Sequence, residues 1–221
     1  MNIRRRLGIS PTRQAQLVRV MQLILAAIVA LAVLSGEVGI VTNAGIALLV
    51  TFLPALLERR YTLTMDAGIV LWITTAMFLH AIGTVPLPFF DFSSAYSSLW
   101  WYDHVTHALS SSLVAGVAYA TTRALEEHTE YISMPPAFTF VYLLLFIVAF
   151  GVVWELLEFL IAESAAAFGT AQVLTQYGLE DTMLDLFYDI VGGVLVAIFA
   201  TAHLTDISDQ LAARLDARQA R

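Results

Sequence analysis

Ionisable side chains recur at helical spacing in three segments of the second half of the chain. They are Asp103, His104 and His107; Glu155 and Glu158; and Asp181, Asp185 and Asp189. Within each segment the residues recur in steps of three or four, which place their side chains on one face of an α-helix. Carboxylates combined with one or two imidazoles are ligands of hard and borderline divalent cations, such as Mg²⁺, Mn²⁺, Fe²⁺ and Zn²⁺. The pattern therefore predicts a divalent metal site built by three helices.

The residue types also predict roles within this site. The predicted metal ligands are His107, Glu155, Glu158 and Asp185. Asp103 and Asp181 are the predicted catalytic residues, either orienting a ligand or acting as a general base. A metal-bound water would supply a nucleophile, so the first hypothesis is a metal-dependent enzyme. Two other uses of the same residues remain open: a small cation- or proton-coupled transporter, and a non-catalytic membrane accessory protein in which the carboxyl groups only tie helices together.

The elements that must position these residues are long apolar segments. Of the 221 residues, 59% are hydrophobic, and the mean hydropathy is +0.77, whereas soluble domains hold about 45–50% apolar residues. Crossing the hydrocarbon core takes about 20 apolar residues. Segments without Asp, Glu, Lys or Arg cover 20–36, 38–57, 67–90, 104–122, 131–154 and 190–205. The sequence thus predicts an all-α, polytopic membrane protein, a bundle of six transmembrane helices.

Charges and prolines set the predicted boundaries along the chain. A basic cytoplasmic arm covers 1–16, a six-helix transmembrane domain covers 17–204, and a cytoplasmic amphipathic tail covers 205–221. The six spans are expected at about 17–35, 39–57, 66–86, 102–123, 137–163 and 182–204. The last three spans carry the polar site.

The basic residues indicate the orientation. All 11 are arginines, and they fall in the N-terminal arm, the second and fourth connections and the C-terminal tail. Positive residues concentrate in cytoplasmic segments, so both termini are expected inside a cell membrane. The opposite connections contain no basic residue but do contain Glu37, Asp91, Glu180 and Asp181. The 87–102 connection is rich in Phe, Tyr and Trp and is expected to lie along the outer surface.

The depth of each polar residue along its predicted span places these residues in one layer of the membrane. At 1.5 Å per residue, Glu155 lies about 27 Å from the cytoplasmic start of its span, close to the outer surface of a core about 30 Å thick. His107 and Asp185 lie about 5–8 Å below that surface, and Asp189 about 10 Å. An ionised carboxylate inside the core costs about 2.5–3.5 kcal/mol on insertion scales. The carboxylates are therefore expected to share one outer-leaflet pocket, within reach of a lipid-linked or headgroup substrate.

Three motifs in this order give a resemblance to a known family. They are Tyr102-Asp103-x-x-x-His107, Trp154-Glu155-x-x-Glu158, and Asp181-Thr182-x-x-Asp185 followed by Gly192-Gly193. Over about residues 95–200 the chain resembles the YjdF-like integral membrane proteins of unknown function, which are distantly similar to VanZ-like proteins. The resemblance implies that the motif carboxylates and His107 occupy the family's polar positions, whereas His104 and Asp189 fall on variable ones. It implies a membrane fold and a site but no reaction.

Residues that are absent narrow the chemistry further. The chain has no Cys and no Lys, which excludes disulfides, thiolate nucleophiles and Schiff-base lysines. A net charge of −7 with Arg as the only basic residue resembles halophile proteins. His80 is either a second imidazole ligand or a packing residue within its apolar helix. The expected partners are membrane lipids and not nucleic acid.

Overall fold

The computed structural model describes residues 10–86, 93–129, 131–170, 173–174, 177–199 and 204–219. In these residues the regular elements are helices, which confirms the all-α fold class. They are α1 (Pro11–Ser35), α2 (Val38–Thr51), α3 (Leu53–Tyr61), α4 (Ala67–Gly83), α5 (Ala95–Ser98), α6 (Tyr102–His128), α7 (Pro136–Phe168), α8 (Leu179–Phe199) and α9 (Thr205–Gln219). Asp91 and His203 lie outside the described residues, as does most of the aromatic part of the 87–102 connection.

Among the described residues, three helical stretches are long and apolar enough to cross a membrane. They are Pro11–Ser35, Val38–Tyr61 and Pro136–Phe168, and Ala67–Gly83 is a shorter apolar helix. Large apolar side chains on these helices face outward, for example Leu34, which is 84% exposed, and Leu49, which is 73% exposed. Water would oppose such exposure and hydrocarbon would not, so the chain is a membrane protein. The count of six spans and the orientation stay predictions.

The first helix begins inside the segment expected to be the basic arm. The Ser10 hydroxyl accepts a hydrogen bond from the Arg13 N–H at 3.3 Å, and Pro11 occupies the first helical turn. Serine at the N-cap followed by proline is a strong helix-starting combination. Residues 11–16 are therefore helical, and the helix precedes the predicted start at about 17.

The second predicted span is not one continuous helix. It breaks at Phe52, between α2 and α3. Pro54 has no backbone N–H to donate to the carbonyl of residue 50, and its ring crowds the preceding turn. The span is thus kinked, and its second part continues to Tyr61, beyond the predicted end at about 57.

The chain forms two compact units, Met1–Trp100 and Trp101–Arg221. In the first, α1, α2 and α4 pack on one another. Small residues of α2 and α4 meet larger ones of α1, which lets the helices approach closely. The buried centre consists of Leu25, Ala44, Ala47 and Ala81.

In the second unit, α8 packs against both α6 and α7. Gly192 makes the close approach of α8 to α6 possible, because a Cβ at this position would collide with the Ser111 hydroxyl and the Ala108 carbonyl. A Cβ on Gly193 would lie 3.3 Å from a side-chain carbon of Ile147 on α7. This packing brings the polar faces of α6, α7 and α8 together.

The tail forms a helix that packs on protein. Ile207, Ser208 and Ala212 of α9 are buried, and α9 contacts α6. His128 at the end of α6 pairs with Asp216 of α9. The sequence predicted an amphipathic helix at the inner membrane surface, whereas the apolar face of the observed helix covers α6.

Candidate functional site

His107 lies at the centre of the polar cluster. It sits one turn after Asp103 on α6 and faces Asp185 and Asp189 of α8. Its Nε2 atom is 3.6 Å from Asp103 Oδ1 and 3.8 Å from Asp185 Oδ1. Its Nδ1 atom is 3.3 Å from Asp189 Oδ1. The side chains of His107 and Asp185 are 12% and 2% exposed, so these contacts are nearly dry.

The two ring nitrogens of His107 have different neighbours. When Nδ1 carries the proton and donates it to Asp189, the lone pair of Nε2 points at the carboxylates of Asp103 and Asp185. A histidine whose far nitrogen donates to a carboxylate is the usual arrangement of a metal-ligating histidine. Asp189 therefore orients the ring, and Nε2 is the nitrogen available to a ligand.

The spacing of three atoms suits a small cation. One ligand atom each from Asp103, His107 and Asp185 lies within 4.8 Å of the others. Tetrahedral ligands bonded at about 2.1 Å stand about 3.4 Å apart. The observed separations of 3.6 and 3.8 Å are slightly wider than this and too long for direct hydrogen bonds. These three side chains could hold a metal ion if they moved closer together.

Glu155 of α7 supplies a second, independent observation. It is 5% exposed, and both carboxylate oxygens are buried without a hydrogen-bond partner among the described residues. The Thr182 side chain on α8 is the neighbouring hydrogen-bond donor, and His107 and Asp189 lie within electrostatic range. A buried carboxylate with so few polar neighbours is costly unless it is protonated or binds a cation.

Glu158, one turn further along α7, has a partner. Trp154 Nε1 donates a hydrogen bond of 3.1 Å to Glu158 Oε1. Glu158 also interacts electrostatically with Glu155, His107 and Asp103. Its carboxylate therefore lies beside the cluster but is held by the indole.

Gly151 fixes the distance between α7 and α8 at the site. A Cβ added there would lie 2.5 Å from Asp189 Oδ2 and 2.9 Å from Leu186 Cδ2. Asp189 is thus held between the α7 backbone on one side and His107 on the other. Gly151 precedes Glu155 by one helical turn on the same face of α7.

Asp181 lies at the start of α8, next to the loop before it. Its Oδ2 atom accepts a hydrogen bond of 3.0 Å from the Tyr177 backbone N–H. Burial raises the pKa of the Tyr177 phenol, and the negative charges of Asp103, Asp181 and Glu158 raise it further. The pKa of Tyr177 therefore depends on the charge of the cluster, although Tyr177 lies outside the membrane-spanning helices.

The remaining histidines have other surroundings. The His104 ring stacks edge-on against Tyr188, with centroids 4.4 Å apart. His80, in the first unit, has both ring nitrogens hydrogen bonded: Nε2 to Asn43 Oδ1 at 3.1 Å and Nδ1 to the Tyr96 hydroxyl at 3.0 Å. A histidine satisfied on both sides is a packing residue, which is one of the two interpretations that the sequence left open.

The cluster contains far more acid than base. Six carboxyl groups of the three helices lie around His107, and His104 also lies within electrostatic range of one of them, Asp103. The six are Asp103, Glu155, Glu158, Asp181, Asp185 and Asp189. Where the structure describes arginine ion pairs, they involve Arg123, with Glu126 and Glu127 at the opposite end of α6. Arg123 is about 30 Å along that helix from Asp103. Carboxyl groups this close together require protons or a cation to balance their charge.

Sequence reasoning missed one contributor to this geometry, Gly151, and left the role of Trp154 open between hydrogen bonding and packing. The Trp154 indole donates a hydrogen bond to Glu158. Gly151 was not singled out, although its position one turn before Glu155 was a signal of close helix approach. The step of four between Asp185 and Asp189 indicated a shared face but not the orienting contact to His107.

A family described as "Predicted membrane protein (DUF2238)" matches residues 17–206. This confirms the expectation of an uncharacterised membrane-protein family, while the distant relation to VanZ-like proteins stays a prediction. No curated protein and no solved structure matches the chain.

Proposed function

We propose that the chain, which belongs to the DUF2238 family of predicted membrane proteins, binds a divalent metal ion between α6, α7 and α8 and uses it in a reaction at the membrane surface. The observation that carries the proposal is the convergence of Asp103, His107 and Asp185 ligand atoms within 4.8 Å of one another. The unpartnered carboxylate of Glu155 beside them supports it. A divalent cation would compensate the repulsion among these groups.

The geometry favours a redistribution of the predicted roles. Asp103, His107 and Asp185 are the proposed first ligands, and Glu155 is proposed as a further ligand because its carboxylate is buried beside them. Asp103 was expected to act as a base, but its closeness to the His107 Nε2 atom favours coordination. Asp181 and Glu158 lie at the margin of the cluster and are the proposed general bases or additional ligands.

A bound Zn²⁺, Mn²⁺, Fe²⁺ or Mg²⁺ would polarise the substrate and activate water. The residues of the chain would hold the ligands in place and exclude water from the site. Asp189 holds the His107 ring, Trp154 holds Glu158, and the burial of Asp185 and Glu155 excludes bulk water. A lipid-linked or headgroup substrate is proposed because the cluster lies at the starts of α6 and α8 and beside α7, a helix long and apolar enough to cross a membrane.

We also propose six spans, with both termini in the cytoplasm and the site in the outer leaflet of the plasma membrane. The arginine distribution supports this orientation. Because the chain has no Cys, Thr170→Cys and Thr129→Cys can each be labelled alone in intact cells with an impermeant thiol reagent. Labelling at 170 and protection at 129 is expected. The reverse result would show that the site faces the cytoplasm.

Transport is the second candidate, and Glu155 favours it. A buried carboxyl without a partner can take up a proton or a cation and release it again, as the carriers in transporters do. In this alternative the same cluster is a coupling site, and no lipid is changed.

A reconstitution experiment separates the two functions. The full chain and Asp185→Asn are placed in vesicles of phosphatidylethanolamine and phosphatidylglycerol and incubated with each of the four metals or with a chelator. An enzyme would convert a lipid in the presence of metal, seen by mass spectrometry, and the variant or the chelator would stop the conversion. Metal-dependent entry of cations or protons into the vesicles without lipid conversion would establish the transporter instead.

A further inference from the structure

A groove lies on the first unit, between α1 and α2, away from the residues of the polar cluster in sequence. Its volume is about 310 Å³, and it is lined by Arg19, Gln22, Leu23, Ala26, Leu48 and Phe52. The Pro54 kink explains why it is open. Beyond Phe52 the chain turns into α3, and α1 packs on α2 but hardly on α3. The small side chain of Ala26 leaves the remaining space.

The lining is apolar except at one end. Gln22 Nε2 donates to the Thr51 hydroxyl at 3.2 Å and thereby links α1 to α2 across the side of the groove. This contact also shows that α1 runs antiparallel to α2 and α3. Arg59 and Arg60 at the end of α3 therefore lie toward the same end of the hairpin as Arg19. That end of the unit is basic.

Arg19 is the charged residue of the groove. It is exposed and makes no ion pair with the residues that the structure describes. The apolar segment 20–36 begins immediately after it, so its guanidinium lies at the boundary between hydrocarbon and headgroups. A guanidinium in this position is a suitable donor for a phosphate, which it can contact with two parallel hydrogen bonds.

We propose that this groove binds one anionic phospholipid, with its phosphate on Arg19 and an acyl chain along Leu23, Ala26 and Phe52. Charge complementarity selects an anionic headgroup over a zwitterionic one, because Arg19 is the charged lining residue of the groove and no carboxylate lines it. The apolar lining accepts a hydrocarbon chain without leaving a polar group unpaired. The site does not depend on the metal-binding proposal, since its residues belong to the other unit.

Lipid retention tests the proposal. The full chain is exchanged into mild detergent with equal amounts of dioleoyl-phosphatidylglycerol and dioleoyl-phosphatidylcholine, and bound lipids are counted by native mass spectrometry. Phosphatidylglycerol is expected to be retained preferentially. Arg19→Gln should lower its retention about fivefold, the effect of one basic residue near an anionic headgroup. Arg59→Gln removes the same charge from the same end but outside the groove, and should retain the lipid.

A second pair of variants tests the acyl-chain contact. Ala26→Leu fills the exposed groove and should lower retention of both lipids, whereas Ala30→Leu changes an exposed alanine one turn away and should have no effect. Equal retention of the two lipids by the parent would overturn the proposal. Equal losses in Arg19→Gln and Arg59→Gln, or in the two alanine variants, would also overturn it. If Arg19→Gln does not fold, the comparison of Ala26→Leu with Ala30→Leu tests the proposal.

Discussion

Replacing Gly151 by alanine tests whether helix contact sets the geometry of the polar cluster. The added Cβ would lie 2.5 Å from Asp189 Oδ2 and 2.9 Å from Leu186 Cδ2. Ordinary contacts between such atoms are about 3.5 Å, so α7 and α8 must separate by roughly 1 Å or Asp189 must rotate. Either movement disturbs the Asp189–His107 contact, which is 3.3 Å.

Two effects on stability oppose each other in Gly151→Ala. Overpacking of this size costs about 1–3 kcal/mol, and the better helix propensity of alanine returns about 0.5–1 kcal/mol. The free energy of unfolding should therefore fall by about 1–2 kcal/mol. Loss of the orienting contact should lower metal affinity about 10–100-fold, as removal of outer-shell partners does elsewhere.

Gly45→Ala is the matched control. Gly45 lies inside α2, and a Cβ there would meet no atom within 4 Å. This variant should gain about 0.5–1 kcal/mol and leave metal affinity unchanged. Affinity is measured by competition with a chromophoric chelator, and stability by denaturation in detergent. A folded Gly151→Ala protein with parental affinity would refute the reasoning, as would an equal loss of affinity in Gly45→Ala.

Three further results are expected. Asp189→Asn should keep metal stoichiometry but lower affinity about 10–100-fold, because the imidazole loses its charged acceptor; unchanged affinity in the competition titration would contradict this. Adding a divalent metal, or replacing Asp181 by Asn, should lower the raised pKa of Tyr177, because each change reduces the nearby negative charge. An ultraviolet difference titration against Tyr177→Phe measures this pKa. A pKa that does not move would refute the prediction. Asn43→Ala should cost about 1–3 kcal/mol by leaving the His80 N–H buried without its acceptor, while metal binding stays parental; equal unfolding midpoints would contradict it.

The sequence was sufficient to predict an all-helical chain and to predict that several of its polar residues lie close together. Ionisable residues at steps of three and four on apolar helices require a common polar environment, which explains why Asp103, His107 and Asp185 were expected in one pocket. The sequence could not predict which of these side chains contact each other. Whether His107 faces Asp189 or Glu158 depends on helix rotation and on the approach at Gly151, and a contact between residues 107 and 189 leaves no mark in local sequence.

Some helix ends differ from the expected ones for identifiable reasons. α6 continues to His128 rather than stopping near 123, because Arg123 pairs with Glu126 at 3.4 Å and with Glu127 at 2.9 Å along the helix surface. The expected span ended near 123, although the spacing of these charges is that of helical ion pairs. α7 ends only at Gly169, whose φ of 63° provides the left-handed cap.

The kink in the second span had a signal that was not used. Pro54 lies within the apolar segment 38–57 and was treated as part of a continuous helix. A proline inside an apolar helix removes one backbone hydrogen bond and bends the helix. The groove beside Arg19 is a consequence of this kink, and the hydrophobic periodicity of the sequence does not predict it.

The metal content of the purified chain tests the central claim most directly. Protein extracted gently in detergent is analysed by elemental mass spectrometry, together with Glu155→Ala and Asp185→Ala and with Glu163→Ala, an exposed carboxylate on α7, as control. The account predicts about one divalent ion per chain in the parent and the control, and a large loss in both site variants, because water replaces a lost ligand poorly in a nearly dry site. A parent without metal, with both site variants folded and their helix content intact, would contradict it.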